Sequence, residues 1–291
     1  MDVNLIHFNR PETALLCSEL WLTAGAERVV IWDNASRPDA INFLARAVAT
    51  RGRFVLQRLP ENRGFAGGAA AAVGAYKSTP GDSALIVAAH DAAPEPDLLH
   101  DLESIRSADP SIGLLFPSDG RGVIGAWHPL RGLRTLPLGS PPIDRVDCLF
   151  APAAAFLLTR AAADAGVCPD EKLFCYGEEC DLGLQARALG FRAAAAALAV
   201  VHNTEDAASV LVPTSVAFLL ARNSIYLARK HSTWPCYLLQ AAWVVVQSAA
   251  HLAYRRPTHS SLDPVARLRG ALAAITNRMG PPPMPNPTRA R

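Results

Sequence analysis

The sequence predicts an α/β fold with a mainly parallel sheet flanked by helices and a helical segment at the C-terminus. Three observations predict it. Short apolar runs alternate with helix-like stretches through the first hundred residues; parallel strands need such crossovers. Several of those runs end abruptly on polar residues, as "RVVIWDN" and "SALIVAAHD" do. After residue 213 the strand-like runs stop and long apolar helical stretches follow. A chain of 291 residues with 50% hydrophobic content has ample apolar surface for one large domain or a domain with an appendage.

The elements follow in order. Val3–Phe8 reads as a strand, and the stretch from Asn9 to Gly25 as a helix, with Asn9 as cap, Pro11 early and Gly25 as stop. Arg28–Asn34 is a second strand, ending on Asp33, and "DAINFLARAVAT" a second helix. Arg53–Leu59 is a third strand, followed by a helix that starts in the glycines of "GFAGGAAAAVGAYKS". "SALIVAAHD" is the fourth strand. A short helix over Leu98–Ser107 and a strand over Ile112–Phe116 come next. Residues 117–149 are rich in Pro, Gly and Arg and read as loops with room for hairpin strands. Ala153–Thr159 is an apolar strand, Glu179–Gly190 a helix with a glycine stop, and "FRAAAAALAVVH" leads through a strand to His202. Residues 213–256 read as two helices broken near Pro235, and the end of the chain as a Pro-rich, partly disordered tail. The expected division is 1–212 (halves 1–97 and 98–212), 213–256 and 257–291.

Composition excludes several function classes. A net charge of +2, with no basic module in view, argues against nucleic acid. The six cysteines form no CxxC pair, so a zinc site is not expected. The start "MDVNLIHF" runs directly into a strand-like stretch, which leads to the expectation of a cytoplasmic protein with reduced thiols.

In open parallel sheets, ligands bind beyond the carboxyl ends of the strands. Four polar clusters fall at such ends: Asn9-Arg10, Asp33-Asn34, Asn62-Arg63-Gly64 and His90-Asp91. One acid at a strand end is usually a turn residue; four polar ends on one rim point to a ligand site. "NRGFAGG" lacks the spacing of either standard phosphate loop. Its glycines suit two tasks equally: backbone N–H groups offered to an anion, or tight packing of a helix on the sheet.

The order of "HFNRPE", "IWDNAS", "ENRGFAGGAAAAVGAY", "LIVAAHDAAPEPDLL", "FLLTR" and "FCYGEECDLGLQARALGFR" resembles the family 2 glycosyltransferases of GT-A fold, in particular their bacterial rhamnosyltransferase-like branch. The resemblance covers roughly residues 3–230. It implies a Rossmann-like nucleotide-binding half and an inverting transfer of a sugar from a nucleotide diphosphate to a hydroxyl acceptor. It places Asp91 against Mg²⁺ or Mn²⁺ and the donor diphosphate, with His202 as a second candidate ligand. It places Asp33 on the base or ribose and Arg63 near the donor, while the strand-end clusters themselves add Asn9, Arg10, Asn62, Gly64 and His90 around it. The catalytic base would be Glu179, with Glu178 as fallback; Asp181 reads as a helix-start residue that orients the loop. Apart from the resemblance, the loop region 117–149, with Trp127, His128 and Arg131, is read as shaping acceptor binding. Two departures stand out: Ala89 replaces the first acid of an Asp-x-Asp pattern, and Glu179 stands where the family has Asp.

The chemistry is consistent with that resemblance. A diphosphate leaves poorly until its charge is neutralised, and a divalent ion on one or two carboxylates does this. A carboxylate beside the acceptor hydroxyl takes its proton. The two departures keep open a catalytically weak nucleotide-sugar-binding or scaffold protein. A nucleotidyltransferase would need a Gly-rich N-terminal signature that residues 3–25 lack. Expected partners are a UDP-, dTDP- or GDP-linked sugar and a glycan, lipid-linked glycan or small natural product. The stretch Cys236–Tyr254 approaches spanning length. Its aromatic and basic flanks suit a membrane surface, at the inner face of the plasma membrane, and a homodimer-forming or core helix pair is the alternative.

Overall fold

The computed structural model describes residues 1–130, 132–137, 145–152, 154–204, 213–254 and 263–283. Arg131 and Arg255-Arg256 lie outside them. The described residues group into two compact units: residues 1–126, 135–171 and 179–204, and residues 127–134, 172–178 and 205–291.

The first unit alternates as expected: β1 (Asp2–His7), α1 (Pro11–Thr23), β2 (Arg28–Asp33), α2 (Pro38–Ala49), β3 (Phe54–Arg58), α3 (Gly64–Lys77) and β4 (Leu85–Ala89). The chain continues with β5 (Ala92–Pro94), α4 (Leu98–Ala108), β6 (Ile112–Ser118), β7 (Val123–His128), β8 (Gly132–Pro137), β9 (Arg145–Asp147), β10 (Ala155–Leu158), the short α5 (Arg160–Asp164), α6 (Glu178–Ala188) and β11 (Arg192–Asn203), of which residues 127–134 and Glu178 group with the second unit. The main sheet runs β3-β2-β1-β4-β10-β6-β11-β5, with β9 on β11, while β7 and β8 pair separately. Strands β1 to β4 are parallel, but β10 is antiparallel to both β4 and β6. That reversal and the three-residue β5 were not read from the sequence. Val3, Leu5, Val29, Ile31, Ile86 and Leu157 form part of one core with Trp21, Leu44 and Leu102 from the helices.

Register sets the rim. His7 lies opposite Asp33, and Asp33 opposite Arg58, so β1, β2 and β3 end on one rung. Ile6 pairs with Ala89, which brings the β4–β5 turn to the same edge.

In the second unit α7 (Pro213–His231), α8 (Trp234–Tyr254) and α9 (Pro264–Ile275) pack through Ala221, Ile225, Tyr237, Val244, Ala271 and Ala274. The break expected near Pro235 falls at Ser232-Thr233, and Pro235 occupies the first turn of α8, where its missing N–H is harmless. Helix α9 lies inside the stretch expected to be a tail. Asp263 caps it by accepting from Ala266 N at 2.7 Å, Pro264 starts it, and Gly270 brings it close to α7. A Cβ at Gly270 would sit 2.3 Å from the Phe218 carbonyl oxygen. Two segments grouped with these helices, 127–134 and 172–178, come from the expected 1–212 domain.

Candidate functional site

On the first unit's rim the central group is a buried His–Asp pair. His7 Nδ1 lies 3.1 Å from Asp33 Oδ1, with neither side chain exposed. The backbone N–H of Arg10 donates to His7 Nε2 at 3.0 Å, so the ring proton sits on Nδ1 and points at Asp33. Ser36 N donates to the same carboxylate at 3.3–3.4 Å, and Arg58 Nε stands 3.6 Å from Oδ2. Burial alone would raise the Asp33 carboxyl, but the hydrogen bonds from His7 and Ser36 outweigh it and hold it below its ordinary value. Asp33 was expected to meet a nucleotide; the structure gives both of its oxygens to internal groups. Its neighbours Arg10 and Arg58 carry the exposed polar surface there.

Asn9 is a turn residue, not the helix cap the sequence leads one to expect. Its φ is 56°, its N–H donates to Ser36 Oγ and its Oδ1 accepts from Arg37 N. Asparagine tolerates this left-handed conformation better than most residues. The β2 end is tied to the α3 start by buried Asn34, whose Nδ2 donates to the Gly64 carbonyl at 2.8 Å and whose Oδ1 accepts from Arg63 N at 2.9 Å. Asn62 Oδ1 accepts from Gly64 N at 2.9 Å, and the Arg63 guanidinium pairs with Glu171. The glycines serve backbone conformation and packing. Gly64 has a φ of 69° at the helix N-terminus, while a Cβ on Gly68 would sit 2.5 Å from Ile6 Cγ2. Helix packing therefore accounts for Gly68.

His90 and Asp91 follow β4, both at 7% exposure. The His90 ring meets His7 edge-on, with centroids 5.9 Å apart. The Asp91 carbonyl accepts from Thr204 N and Oγ1 at 2.9 and 3.1 Å, and Trp21 Nε1 donates to the Ala92 carbonyl at 2.9 Å. These bonds fix the turn's main chain. His202 sits on β11 opposite Ala93, exposed, with Nε2 3.2 Å from Glu95 Oε1. Among the described residues no group of three His, Cys, Asp or Glu side chains could hold a metal ion.

The acidic helix start is built in two ways. Asp181, fully buried, accepts from Gln185 Nε2 at 2.6 Å, and that glutamine also bridges the Cys168 backbone. Burial pushes the Glu179 carboxyl above its ordinary value against one backbone hydrogen bond that lowers it, although the residue keeps part of its surface exposed. Gly183 lets α6 touch the chain at Leu149: a Cβ there would meet the Leu149 carbonyl oxygen at 1.8 Å.

In the second unit, Phe174, Tyr176 and Gly177 have φ of 62°, 70° and 94° immediately before Glu178. Two non-glycine residues in this region are strained, and a latch holds them. Asn223 Nδ2 donates toward the Leu173, Cys175 and Tyr176 carbonyls at 2.7–3.0 Å. Arg222 donates to the Leu173 and Gly280 carbonyls and to Asn223 Oδ1, and burial lowers its pKa to about 10. Trp127 meets the His231 ring edge-on at 6.5 Å. Sequence reasoning missed His7, Ser36, Gln185, Arg222 and Asn223. A histidine at the last position of a strand and an Arg-Asn pair inside an apolar helix were the available signals.

No family model matches the sequence, and no curated protein sequence matches it. Solved structures do. GalNAc-T7, crystallised with UDP, GalNAc and Mn²⁺, superposes with a TM-score of 0.64 at 14% identity over 92% of this chain. The chain spans about half the length of that protein, 54% of it. The mannosyltransferase PcManGT from Pyrobaculum calidifontis, in complex with GDP-Man and Mn²⁺, superposes at 0.57 and 12% identity, covering 95% of this chain and 87% of its own. S. aureus TarS 1-349 superposes at 0.52 and 12% identity, covering 95% and 91%. These are likenesses of fold: the chain has the GT-A fold, a mostly parallel sheet flanked by helices with further helices at the C-terminus.

Proposed function

We propose that this chain is a glycosyltransferase that moves a sugar from a nucleotide diphosphate to a hydroxyl acceptor with inversion. The observation that carries the reading is the first unit's rim, where the ends of β1, β2 and β4 bring His7, Asp33, His90 and Asp91 together beside the start of α3. Open parallel sheets bind nucleotides at such an edge. The solved structures of this fold include complexes with UDP and with GDP-Man, each with Mn²⁺.

The residues take these roles. The buried Asp33–His7–Ser36 group sets the shape of the nucleotide edge, and Arg10 presents charge beside it. Asn34 and Asn62 fix the start of α3 by accepting from the N–H groups of Arg63 and Gly64, and the N–H groups that follow would meet the donor's phosphates. Asp91, on a turn whose main chain Thr204 holds, would be the carboxylate for a divalent ion such as Mg²⁺ or Mn²⁺ beside the donor diphosphate. When bound, the ion neutralises charge on the leaving diphosphate. His202, exposed and paired with Glu95, is the further candidate ligand. Glu179 takes the acceptor hydroxyl's proton, and its raised pKa suits a base. Glu178 is the fallback, held by the loop that Asn223 latches.

A thermal-shift panel of UDP-, dTDP- and GDP-sugars, with and without Mn²⁺, tests the proposal. A donor at 100 times its Kd stabilises the fold by about 2.7 kcal/mol. Stabilisation by one donor class, followed by transfer to a hydroxyl acceptor with inverted anomeric configuration, is the expected result. A binder that shows no transfer with any acceptor would favour the scaffold reading, and no response to any donor would remove the proposal.

A further inference from the structure

Charge is divided unevenly along this chain. Residues 207–291 hold ten Lys or Arg and one acid, Asp263, whereas residues 1–206 hold eighteen Lys or Arg against twenty-five acids. The modest net charge of +2 conceals this asymmetry. The basic stretch contains α8, which has no charged residue from Trp234 to Tyr254.

Helix α8 has two unlike sides. Tyr237, Gln240, Ala241, Val244 and Ser248 are buried. The rest of the helix exposes Trp234 (64%), Leu238, Leu239, Trp243 (49%), Val246 (59%) and Leu252. Leu272 and Ile275 of α9 add to the exposed apolar surface of the same unit. Arg229 and Lys230, also exposed, end α7 one short turn before Trp234. Trp residues with Lys and Arg beside an apolar helix are the side chains that settle at a lipid headgroup boundary.

We infer that this face of α8, with the basic end of α7, docks the protein on an anionic lipid surface, with α8 lying along the membrane. The helix is long and apolar enough to cross a membrane. Its buried side nevertheless commits it to α7 and α9: Arg267 of α9 donates to Ser248 Oγ at 3.3 Å and Gln247 Oε1 at 3.4 Å. Crossing a bilayer would carry that guanidinium to hydrocarbon depth or strip the helix from its partners. Lying flat exposes only the apolar face to lipid and leaves the packing intact. The exposed Arg229 and Lys230 beside this face, in a stretch with a single acid, select anionic headgroups as the occupant.

Flotation of the full chain with phosphatidylcholine vesicles, with and without phosphatidylglycerol, tests the inference independently of any transferase activity. The protein floats with the anionic vesicles alone, releases at high salt, and shows blue-shifted tryptophan emission when bound. Leu239→Glu with Val246→Glu lowers the bound fraction roughly tenfold or more. Arg229→Gln with Lys230→Gln lowers it roughly fivefold per residue; being at an exposed helix end, it serves if the first variant fails to fold. Absence of flotation, equal flotation on neutral vesicles, or binding unchanged in both variants overturns the inference. So does a lipid-free dimer that Leu239→Glu with Val246→Glu converts to monomer, because a second copy would then cover the face.

Discussion

Replacing Asp33 by alanine separates the architecture of the rim from direct contact with a ligand. The carboxylate accepts from the fully buried His7 Nδ1 at 3.1 Å and from Ser36 N at 3.3–3.4 Å. Removing it strands a buried imidazole N–H, at a cost of about 1–3 kcal/mol. The longer Ser36 bond adds less, so the expected loss at neutral pH is about 2–4 kcal/mol, a large part of a typical total of about 5–15. Asp33→Asn keeps one acceptor oxygen but turns an N–H₂ toward a second donor, and loses roughly half as much. The pH dependence has a definite sign. The folded pKa lies below the ordinary 3.8, so the contribution is complete above 3.8 and disappears as pH falls through the folded value. Urea melts of the three proteins at neutral and acid pH read these differences, and calorimetry with donor reads affinity. An Asp33→Ala protein within about 0.5 kcal/mol of wild type at neutral pH would refute the buried-pair argument. An Asp33→Asn protein with wild-type stability and no donor affinity would show that the carboxylate meets the nucleotide directly.

Glu179→Gln should retain donor binding while kcat falls by roughly 10²–10⁴-fold, with Glu178→Gln costing less; single-turnover assays at saturating donor decide between the two. The raised Glu179 pKa also means that ionising it costs stability as pH rises from the ordinary 4.5 through the folded value, so Glu179→Gln should melt higher than wild type at neutral pH and equal to it in acid. Asn223→Ala takes the side-chain donor from the Cys175 and Tyr176 carbonyls of the strained 173–176 loop, while Leu173 keeps Arg222, and should cost about 2–4 kcal/mol, seen as a lower urea midpoint and faster cleavage of that loop by protease. Gly183→Ala forces a methyl onto the Leu149 carbonyl and should cost about 3 kcal/mol or more, read as a lower Tm and reduced soluble yield.

Much of the first unit was legible because its signals are local. Val29 and Ile31 alternate inward on a strand that ends at Asp33, and Pro11, Pro38 and Gly64 mark helix starts. The antiparallel β10 was not legible, since "AFLL" is apolar on both faces and says nothing of direction. Helix α9 was hidden by the prolines around it, although Asp263-Pro264 is a helix-start pair. At the rim the clusters were visible but their internal wiring was not. Asn9 looked like a cap because it precedes Pro11, yet its side chain reaches Arg37 across 28 residues. His7 was counted as part of a strand; only the register between β1 and β2 shows that it faces Asp33. Asn223 bonds to a loop 47–50 residues away, a distance no periodicity reports.

Calorimetric titration of the nucleotide-sugar donor, with and without Mn²⁺, into wild type and Asp91→Asn tests the central claim most directly. Asp91 is the carboxylate on the fixed β4–β5 turn, and its main chain is held by Thr204, so the substitution leaves the turn in place. Metal-dependent donor binding is expected in the wild type and loss of the metal-dependent part in Asp91→Asn, with the fold retained in the absence of ligand. Donor affinity and metal dependence identical in the two proteins would contradict that claim and move the site away from this rim.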